Sequence, residues 1–344
     1  MSLNRVLSQS HVVHQFQSAL SKGRLAHAYL FCGPDGVGKA LFARELAKAL
    51  LCQGGGADHG DACDTCKSCK TADRGENPDL FWITSDYKVI RIDAIRELER
   101  LAALKPFGSR RRVFVIEEAE KMNAEAANCL LKTLEEPPPG VVILLTTTSL
   151  LQLPRTIVSR CQVMRFHPIE PSVLRKLIAD SFDLRGDDDG LKWLAAASCG
   201  SIGRAAGLVK EDAPARRKKL LERLSSLHVE DNFLVSEEVL DWCLGEKDEG
   251  LETRRSRLRI WMSIMLEYYR DILLCKVGAD ETIGLFNDDI RDKIAKKAGR
   301  MHVGTITDIM DEIEYSLVGL RCNAHINLLV ENMFTRIARL ESEA

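Results

Sequence analysis

The sequence lacks long hydrophobic runs, an excess of charge of one sign, and a leader-like N-terminus. No apolar stretch approaches the roughly 18 residues of a membrane span, so no contact with a membrane is expected. Lys and Arg number 48 against 50 Asp and Glu, a net charge of −2, which excludes a globally basic nucleic-acid binder but leaves local basic faces open. Without a signal peptide, the chain of 344 residues is expected to be cytoplasmic and to form two or three domains.

Cysteine, by contrast, is plentiful, with eleven residues. A cytosolic compartment keeps thiols reduced, so disulfides do not explain them. Zinc takes four thiolates in a tetrahedron, and gaps of two residues between cysteines let a tight turn aim both sulfurs at one ion. The spacing C-x10-C-x2-C-x2-C predicts a closed structural Zn²⁺ site, with free thiols as the alternative. Its four ligands are Cys52, Cys63, Cys66 and Cys69.

The phosphate-binding loop lacks the side-chain hydroxyl that its sequence pattern requires. Residues 33–40 follow the phosphate-binding pattern G-x-x-x-x-G-K-[ST] through Lys39, but Ala40 stands where Ser or Thr belongs. In such a loop the backbone N–H groups wrap the phosphates, the lysine reaches the β and γ phosphates, and the hydroxyl holds Mg²⁺. We therefore expect a loop that can cradle ATP or ADP, with Mg²⁺ binding disfavoured and nucleotide binding itself left open. The predicted phosphate-contacting residues are Gly33, Pro34, Asp35, Gly36, Val37, Gly38, Lys39 and Ala40.

The segments around the loop alternate between short apolar runs, which are typical of buried strands, and amphipathic patterns, which are typical of helices. An apolar run at 28–32 precedes the loop and an amphipathic pattern at 38–52 follows it, which is the strand, loop and helix order that the motif requires rather than an ordinary glycine turn. Apolar segments separated by amphipathic helices predict an α/β domain with a parallel sheet covered on both faces. After Pro168 only helical periodicity continues. The further predicted strands are 80–83, 113–116, 141–145 and 163–166.

Two carboxylates follow the predicted strand 113–116. A strand that ends in two acidic residues is the usual second half of a phosphoryl-transfer site, where the first helps to hold Mg²⁺ and the second orients water. Here the first is Glu117 rather than aspartate, and its extra methylene disturbs a metal geometry that tolerates little error. The alternative is that Glu117 and Glu118 merely begin a solvated helix.

Several further motifs complete the pattern. They are His27-Ala28-Tyr29-Leu30-Phe31, Leu134-Glu135-Glu136-Pro137-Pro138, Thr146-Thr147-Thr148-Ser149, Leu153-Pro154 and Ser159-Arg160-Cys161. Together with the loop, the four cysteines and the two carboxylates, this order resembles the bacterial DNA polymerase III clamp loader subunits of the AAA+ class, most strongly over residues 1–210. The resemblance implies an AAA+ domain at 1–168 with a zinc module at 52–69, a helical lid domain at 169–211 and an all-helical collar domain at 212–344, which joins subunits.

Within that family, two kinds of subunit differ at the positions noted above. The gamma and tau motor subunits keep Lys-Thr in the loop and Asp-Glu at the strand end, whereas delta-prime subunits have degraded hydrolytic motifs and retain Ser-Arg-Cys. This sequence departs at Ala40 and Glu117 and keeps Arg160, so the pattern favours the delta-prime type. The alternative is an active motor subunit in which Glu117 and waters compensate for Ala40.

The resemblance also implies partners and roles. Such subunits form an open hetero-pentamer of delta, delta-prime and gamma or tau chains, which loads a sliding clamp onto primer–template DNA during replication. Arg160 would then act in trans as an arginine finger on nucleotide bound by a neighbour. Thr147, or Thr148 if the register shifts by one, matches the first sensor region, and Arg204 resembles the second sensor, with bracing of the lid as its alternative. Independent enzymatic activity is not expected.

Basic clusters leave two further alternatives open. Clusters at 110–112, 216–219 and 254–259 are either DNA phosphate contacts or ordinary solvated helix faces. A zinc-finger DNA reader would need a basic helix after Cys69, and the sequence has none. We therefore expect any DNA contact to be made by the assembled complex.

Overall fold

The computed structural model describes residues 6–54, 61–85, 89–184, 188–225, 227, 230, 232–244, 250–322 and 324–343. Residues 55–60 of the predicted zinc module lie outside these ranges. The chain divides into two compact units, the first comprising Met1–Leu174 with Gly200–Gly203, and the second Arg175–Cys199 with Arg204–Ala344. None of the described helices combines the length and the hydropathy needed to span a bilayer.

A five-stranded parallel sheet organises the first unit. Its strand order is β2-β3-β4-β1-β5, and every neighbouring pair is parallel. The predicted strands are confirmed, although β4 runs two residues further than expected and β5 begins and ends one residue earlier. The strands are β1 (Ala28–Cys32), β2 (Leu80–Ile83), β3 (Arg112–Ile116), β4 (Val141–Thr147) and β5 (Gln162–Arg165).

The central strands β1, β3 and β4 are apolar except at Arg112 and at the two threonines that end β4, because both faces of the sheet are covered. Successive side chains point to opposite faces, so Phe31 and Leu144 enter one core cluster, whereas Leu30 and Leu145 enter the other. Each fully buried side chain of this size contributes about 1.5–3 kcal/mol. The helices of this unit are α1 (Ser10–Ser21), α2 (Lys39–Leu51), α3 (Lys67–Asp73), α4 (Ile92–Ala102), α5 (Ala124–Glu135) and α6 (Arg155–Val158), and α7 (Pro171–Phe182) begins in it.

Local signals set the ends of the helices that border the site. The N-cap of α5 is Asn123, whose Oδ1 accepts a hydrogen bond of 2.9 Å from the backbone N–H of Ala126. A cap of this kind stabilises a helix by about 1 kcal/mol. Pro137 follows α5 closely and cannot continue it. Gly38, with φ of +100°, is the N-cap of α2 and lets the phosphate loop turn directly into the helix.

All regular secondary structure among the described residues of the second unit is helical, as the sequence predicts. Its longest helix, α12, buries Trp261, Met265 and Ile272 and packs against α14 and α15. The further division of the helical part at residue 211 stays a prediction. The helices are α8 (Asp188–Ala197), α9 (Ile202–Lys210, whose first two residues belong to the first unit), α10 (Ala213–Ser225), α11 (Asn232–Leu244), α12 (Leu251–Val277), α13 (Asp280–Ile283), α14 (Arg291–Arg300), α15 (Val303–Arg321) and α16 (Ile326–Ser342).

A buried lysine ties the phosphate-loop helix to the cysteine-rich segment. The Lys48 side chain on α2 is fully buried, and its Nζ lies 3.0 Å from Glu45, 2.7 Å from Asp64 and 2.9 Å from Asp73. Burial alone would lower the pKa of Lys48, but hydrogen bonds to these three carboxylates raise it above its usual value. The ion pairs therefore stabilise the fold fully at neutral pH, and this contribution is lost only as the pH rises above about 10.4, the unperturbed pKa of lysine.

We expect Lys48→Met to lower the free energy of unfolding by about 3–5 kcal/mol, because the buried Glu45 carboxylate loses its cation. The urea midpoint at pH 7 measures the effect. Lys70→Met, which removes an exposed cation from α3, is the matched control and should change stability by less than about 0.5 kcal/mol. Equal midpoints for the two variants would contradict the prediction.

Candidate functional site

A cavity of about 360 Å³ opens at the carboxyl ends of β1, β3 and β4. Ligands of open α/β sheets bind at this end of the strands. The cavity brings together four regions far apart in sequence: the phosphate loop, the acidic segment after β3, the end of β4 and residues 202–203. Its lining residues are Asp35, Gly36, Gly38, Lys39, Ala40, Leu41, Glu117, Glu118, Glu120, Thr146, Thr147, Thr148, Ile202 and Gly203.

Two glycines of the loop, Gly33 and Gly36, are required by close packing. A Cβ atom on Gly36, whose φ is +70°, would lie 2.2 Å from the Ser201 hydroxyl and 2.8 Å from the Gly203 Cα. A Cβ atom on Gly33 would lie 2.4 Å from the carbonyl oxygen of Phe166. Residues 200–203, which belong to the first unit, therefore pack directly on the loop, a neighbour that sequence reasoning did not identify.

Lys39 points its ammonium group back into the loop. Its Nζ donates hydrogen bonds of 2.7 Å to the Gly33 carbonyl and 2.6 Å to the Pro34 carbonyl. Burial lowers the pKa of Lys39, although Asp35 and nearby glutamates oppose the shift. A phosphate would have to displace these two carbonyl acceptors. The next residue, Ala40, lines the cavity and supplies no hydroxyl.

The acidic segment after β3 contributes three carboxylates rather than the two predicted. Glu117 and Glu118 both line the cavity, and the Glu118 carboxylate pairs with Lys121 at 2.5 Å. The third, Glu120, was missed, although its place in the run Glu-Glu-Ala-Glu was a visible signal. Burial opposes ionisation of Glu120, yet hydrogen bonds including those from Thr148 lower its pKa. This side of the cavity is therefore strongly acidic.

The hydroxyls at the end of β4 already have acceptors. Thr148 donates from its backbone N–H at 3.0 Å and from its hydroxyl at 2.8 Å to the same oxygen of Glu120. The Thr147 hydroxyl donates at 3.0 Å to the Ser149 carbonyl. Both threonines line the cavity, so the structure leaves the choice between them as first sensor open.

Arg204 lies on α9 in the second unit. Its guanidinium donates to the carboxylate of Glu267 on α12, a residue of the same unit. Burial raises the pKa of Glu267 to about 7, and Arg204 opposes this shift. The observed partner of Arg204 is thus a buried carboxylate.

Arg160 follows the short helix α6 in the first unit. Its Nη2 lies 2.6 Å from Glu135 Oε1, and its Nη1 donates at 3.0 Å to the Thr156 carbonyl. The side chain is 34% exposed and is not among the residues that line the cavity. Arg160 is therefore a surface-accessible cation outside the chain's own phosphate site.

Each of the three basic clusters places an arginine in the interior, and Arg255 of the third cluster is only 9% exposed. Arg112 donates at 2.9 Å to the Lys105 carbonyl and lies against Asp79, and Arg217 donates at 2.8 Å to Asn287. Both side chains are almost completely buried. These two cations are therefore structural and are not available to nucleic-acid phosphates.

The four predicted cysteine ligands meet in one cluster. Their sulfurs all lie within 4.8 Å of one another, with Cys52 Sγ to Cys66 Sγ at 4.0 Å and Cys63 Sγ to Cys69 Sγ at 3.9 Å. Sulfurs bound to one tetrahedral zinc are separated by about 3.8 Å, as Zn–S bonds of about 2.3 Å require. The arrangement fits a four-thiolate metal site.

The surroundings of the cluster also suit a metal. The backbone N–H of Cys66 donates to Cys63 Sγ and that of Cys69 to Cys66 Sγ, both at 3.4 Å. Hydrogen bonds from Thr65 lower the pKa of the Cys63 thiol, whereas burial raises that of Cys69. Four cysteine sulfurs at this spacing match the ligand set of a tetrahedral zinc ion, which binds cysteine as the thiolate.

Comparison with known proteins identifies relatives across the whole chain. Residues 8–170 match the family described as DNA polymerase III, delta subunit. The chain is 28% identical to DNA polymerase III subunit delta′ of Bacillus subtilis over 94% of each protein, and 33% identical to DNA polymerase III subunit gamma of Buchnera aphidicola over 68% of this chain and 66% of that protein. Among solved structures, a gamma subunit-related protein of Thermotoga maritima matches with a TM-score of 0.45 and 17% identity, over 96% of this chain and 99% of that one.

Proposed function

Because the chain belongs to the clamp loader family of DNA polymerase III subunits, we propose that it is a delta-prime-like member that does not hydrolyse ATP itself. It supplies Arg160 as an arginine finger to a neighbouring ATPase subunit. Its partners are delta and gamma or tau subunits in a hetero-pentamer, which places a sliding clamp on primer–template DNA. The subunit works within the DNA polymerase III holoenzyme, a nucleotidyltransferase complex, and not as an independent enzyme.

The observation that carries this proposal is the state of the chain's own phosphate site. Ala40 removes the hydroxyl that would ligate Mg²⁺, and Glu117 replaces the usual aspartate. These features together favour a site that has lost metal-assisted hydrolysis.

Nucleotide binding without hydrolysis is compatible with the same geometry. The cavity keeps the loop glycines, whose backbone N–H groups are the main phosphate donors in such loops. ATP or ADP would lie between the phosphate loop on one side and, on the other, the acidic segment after β3 and the end of β4. Thr147 would be the first sensor. Arg204 is the proposed second sensor, and its pair with Glu267 within the second unit supports bracing of that unit as the competing role.

The accessibility of Arg160 supports a role in trans. A partly exposed guanidinium outside the chain's own cavity can reach a ligand held by another subunit. An arginine presented in this way stabilises the charge that develops on the γ phosphate. The Cys52, Cys63, Cys66 and Cys69 cluster is proposed to hold a structural Zn²⁺ with no open coordination position.

The purified chain alone tests the lack of hydrolysis. We expect Mg²⁺-dependent ATP turnover to stay at the buffer background, and Lys39→Ala to change nothing, because the metal hydroxyl is missing. A nucleotide titration with and without Mg²⁺ serves as the companion measurement, since affinity that is independent of Mg²⁺ would agree with a metal-free site. Turnover above background that Lys39→Ala abolishes would overturn the proposal.

An active motor subunit is the second candidate. Two features favour it. Lys39 is retained, and the cavity wall carries three carboxylates that could hold Mg²⁺ through waters, namely Glu117, Glu118 and Glu120. The turnover measurement separates the two candidates. Ala40→Thr offers a further distinction: in a motor subunit it should raise turnover, and in a delta-prime-like subunit the remaining substitutions should keep it at background.

A further inference from the structure

The proposed finger is oriented by a carboxylate with no role assigned so far. Glu135, the last residue of α5, places its Oε1 2.6 Å from Arg160 Nη2. We propose that Glu135 is a positioning residue for Arg160, which holds the guanidinium in the orientation that it presents to the neighbouring subunit. The inference rests on the proposed function of Arg160.

The position of Glu135 is unfavourable for helix stability alone. It ends a helix of 12 residues, where the macrodipole disfavours a negative charge by about 0.3–1 kcal/mol. A lysine or arginine at that position would stabilise α5 instead. The benefit of a carboxylate here is its contact with Arg160, 25 residues further along the chain.

The contact orients Arg160 without using all of its donors. A guanidinium has five N–H donors. In this structure Nη2 contacts Glu135, and Nη1 donates at 3.0 Å to the Thr156 carbonyl and at 3.5 Å to the Ser159 hydroxyl. Glu135 and Thr156 lie on different elements, the end of α5 and the helix α6, so together they define the plane of the guanidinium. Donors beyond these three contacts remain for phosphate oxygens.

The strength of the pair also suits a finger. The Arg160 and Glu135 side chains are 34% and 50% exposed, so their ion pair is screened by solvent and contributes only about 0–1 kcal/mol to stability. A polyphosphate carries more negative charge than one carboxylate, and it can accept two parallel hydrogen bonds from the guanidinium group. Arg160 can therefore be preoriented by Glu135 and still turn toward a neighbour's nucleotide at little cost.

ATP turnover of a reconstituted loader tests this role. The motor subunits in this loader carry alanine at their own finger arginines, so that turnover reports only the junction served by Arg160. We expect Glu135→Ala to lower kcat by about tenfold, because a misplaced catalytic group loses part of its rate advantage, while KM for ATP changes little. Glu136, the C-cap of the same helix, is also exposed. Glu136→Ala removes the same charge and should leave kcat unchanged.

A double-mutant cycle separates positioning from a structural role. If Glu135 acts through Arg160, Glu135→Ala should have no further effect in an Arg160→Ala background. A positioning role is overturned if Glu135→Ala leaves kcat unchanged, if Glu136→Ala is equally harmful, or if the loss persists without Arg160. If Arg160→Ala itself leaves turnover unchanged, the finger assignment fails, whereas a loss with Arg160→Ala but not with Glu135→Ala removes the positioning role alone.

Discussion

Replacing Arg160 with alanine is expected to slow ATP hydrolysis at the junction that receives it by about 10³- to 10⁵-fold, the contribution of arginine fingers in GTPases. The guanidinium stabilises charge that develops on the γ phosphate only in the transition state. The loss should therefore fall on kcat, with little change in KM for ATP. The measurement uses the reconstituted loader whose motor subunits lack their own finger arginines.

Arg160→Lys is the informative companion variant. Lysine keeps the positive charge but loses the planar fork, so it should recover only a small part of the lost rate. Folding should be nearly unchanged in both variants, since the pair with Glu135 is half-exposed and worth at most about 1 kcal/mol. Unchanged turnover of an intact, fully assembled loader would refute the finger assignment.

Loss of the proposed zinc is expected to have the largest effect on stability. Structural zinc contributes about 10–16 kcal/mol to the folding of isolated zinc-finger peptides. The sheet of the first unit has its own core, so a smaller loss, centred on the segment around α3, is expected here. Cys69→Ser, at the fully buried ligand, should reduce the zinc content from about one ion per chain to well below one.

The loss should extend to Lys48 on α2. Lys48 contacts Asp64 and Asp73, which lie within or beside the cysteine segment. If that segment becomes disordered, the buried ammonium loses both partners and keeps only its ion pair with Glu45. We therefore expect a lower melting temperature and new protease cleavage between residues 61 and 73.

Controls for the metal prediction use the same protein. Cys129→Ser replaces a cysteine of the first unit outside the cluster and should retain both zinc and melting temperature. A chelator should reproduce the effect of Cys69→Ser on the unmodified chain. Protein purified without chelator that contains far less than one zinc per chain would refute the four-thiolate site.

Sequence reasoning located the strands closely because burial on both faces leaves a local signature. The β3 segment reads as an uninterrupted apolar run after Arg112, and the prediction misses only that arginine. The end of β4 was placed too early, because Thr146 and Thr147 interrupt the apolar run. Their backbone groups nevertheless continue the pairing with β1, where Phe31 lies opposite Thr146. Hydrogen bonding between strands, and not side-chain polarity, decided where β4 ends.

The candidate site was predictable only where it consists of contiguous motifs. The phosphate loop, the acidic strand end and the cysteine spacing each occupy a short segment, and the local pattern carries the chemistry. Glu120 and Gly203 were missed, because their contacts with Thr148 and Gly36 depend on how distant segments approach one another. No periodicity within a segment encodes such an approach.

The sequence by itself determined the α/β class, the absence of a hydroxyl after Lys39, and the four thiols at metal-ligand spacing. Only the tertiary structure decided that the Lys39 ammonium bonds the loop carbonyls and that Arg160 pairs with Glu135. The physical reason is the distance along the chain over which each effect acts. Propensity, periodicity and motif spacing act within a few turns of chain, whereas a charged side chain takes its partner from whichever element the packing of the core brings within about 4 Å.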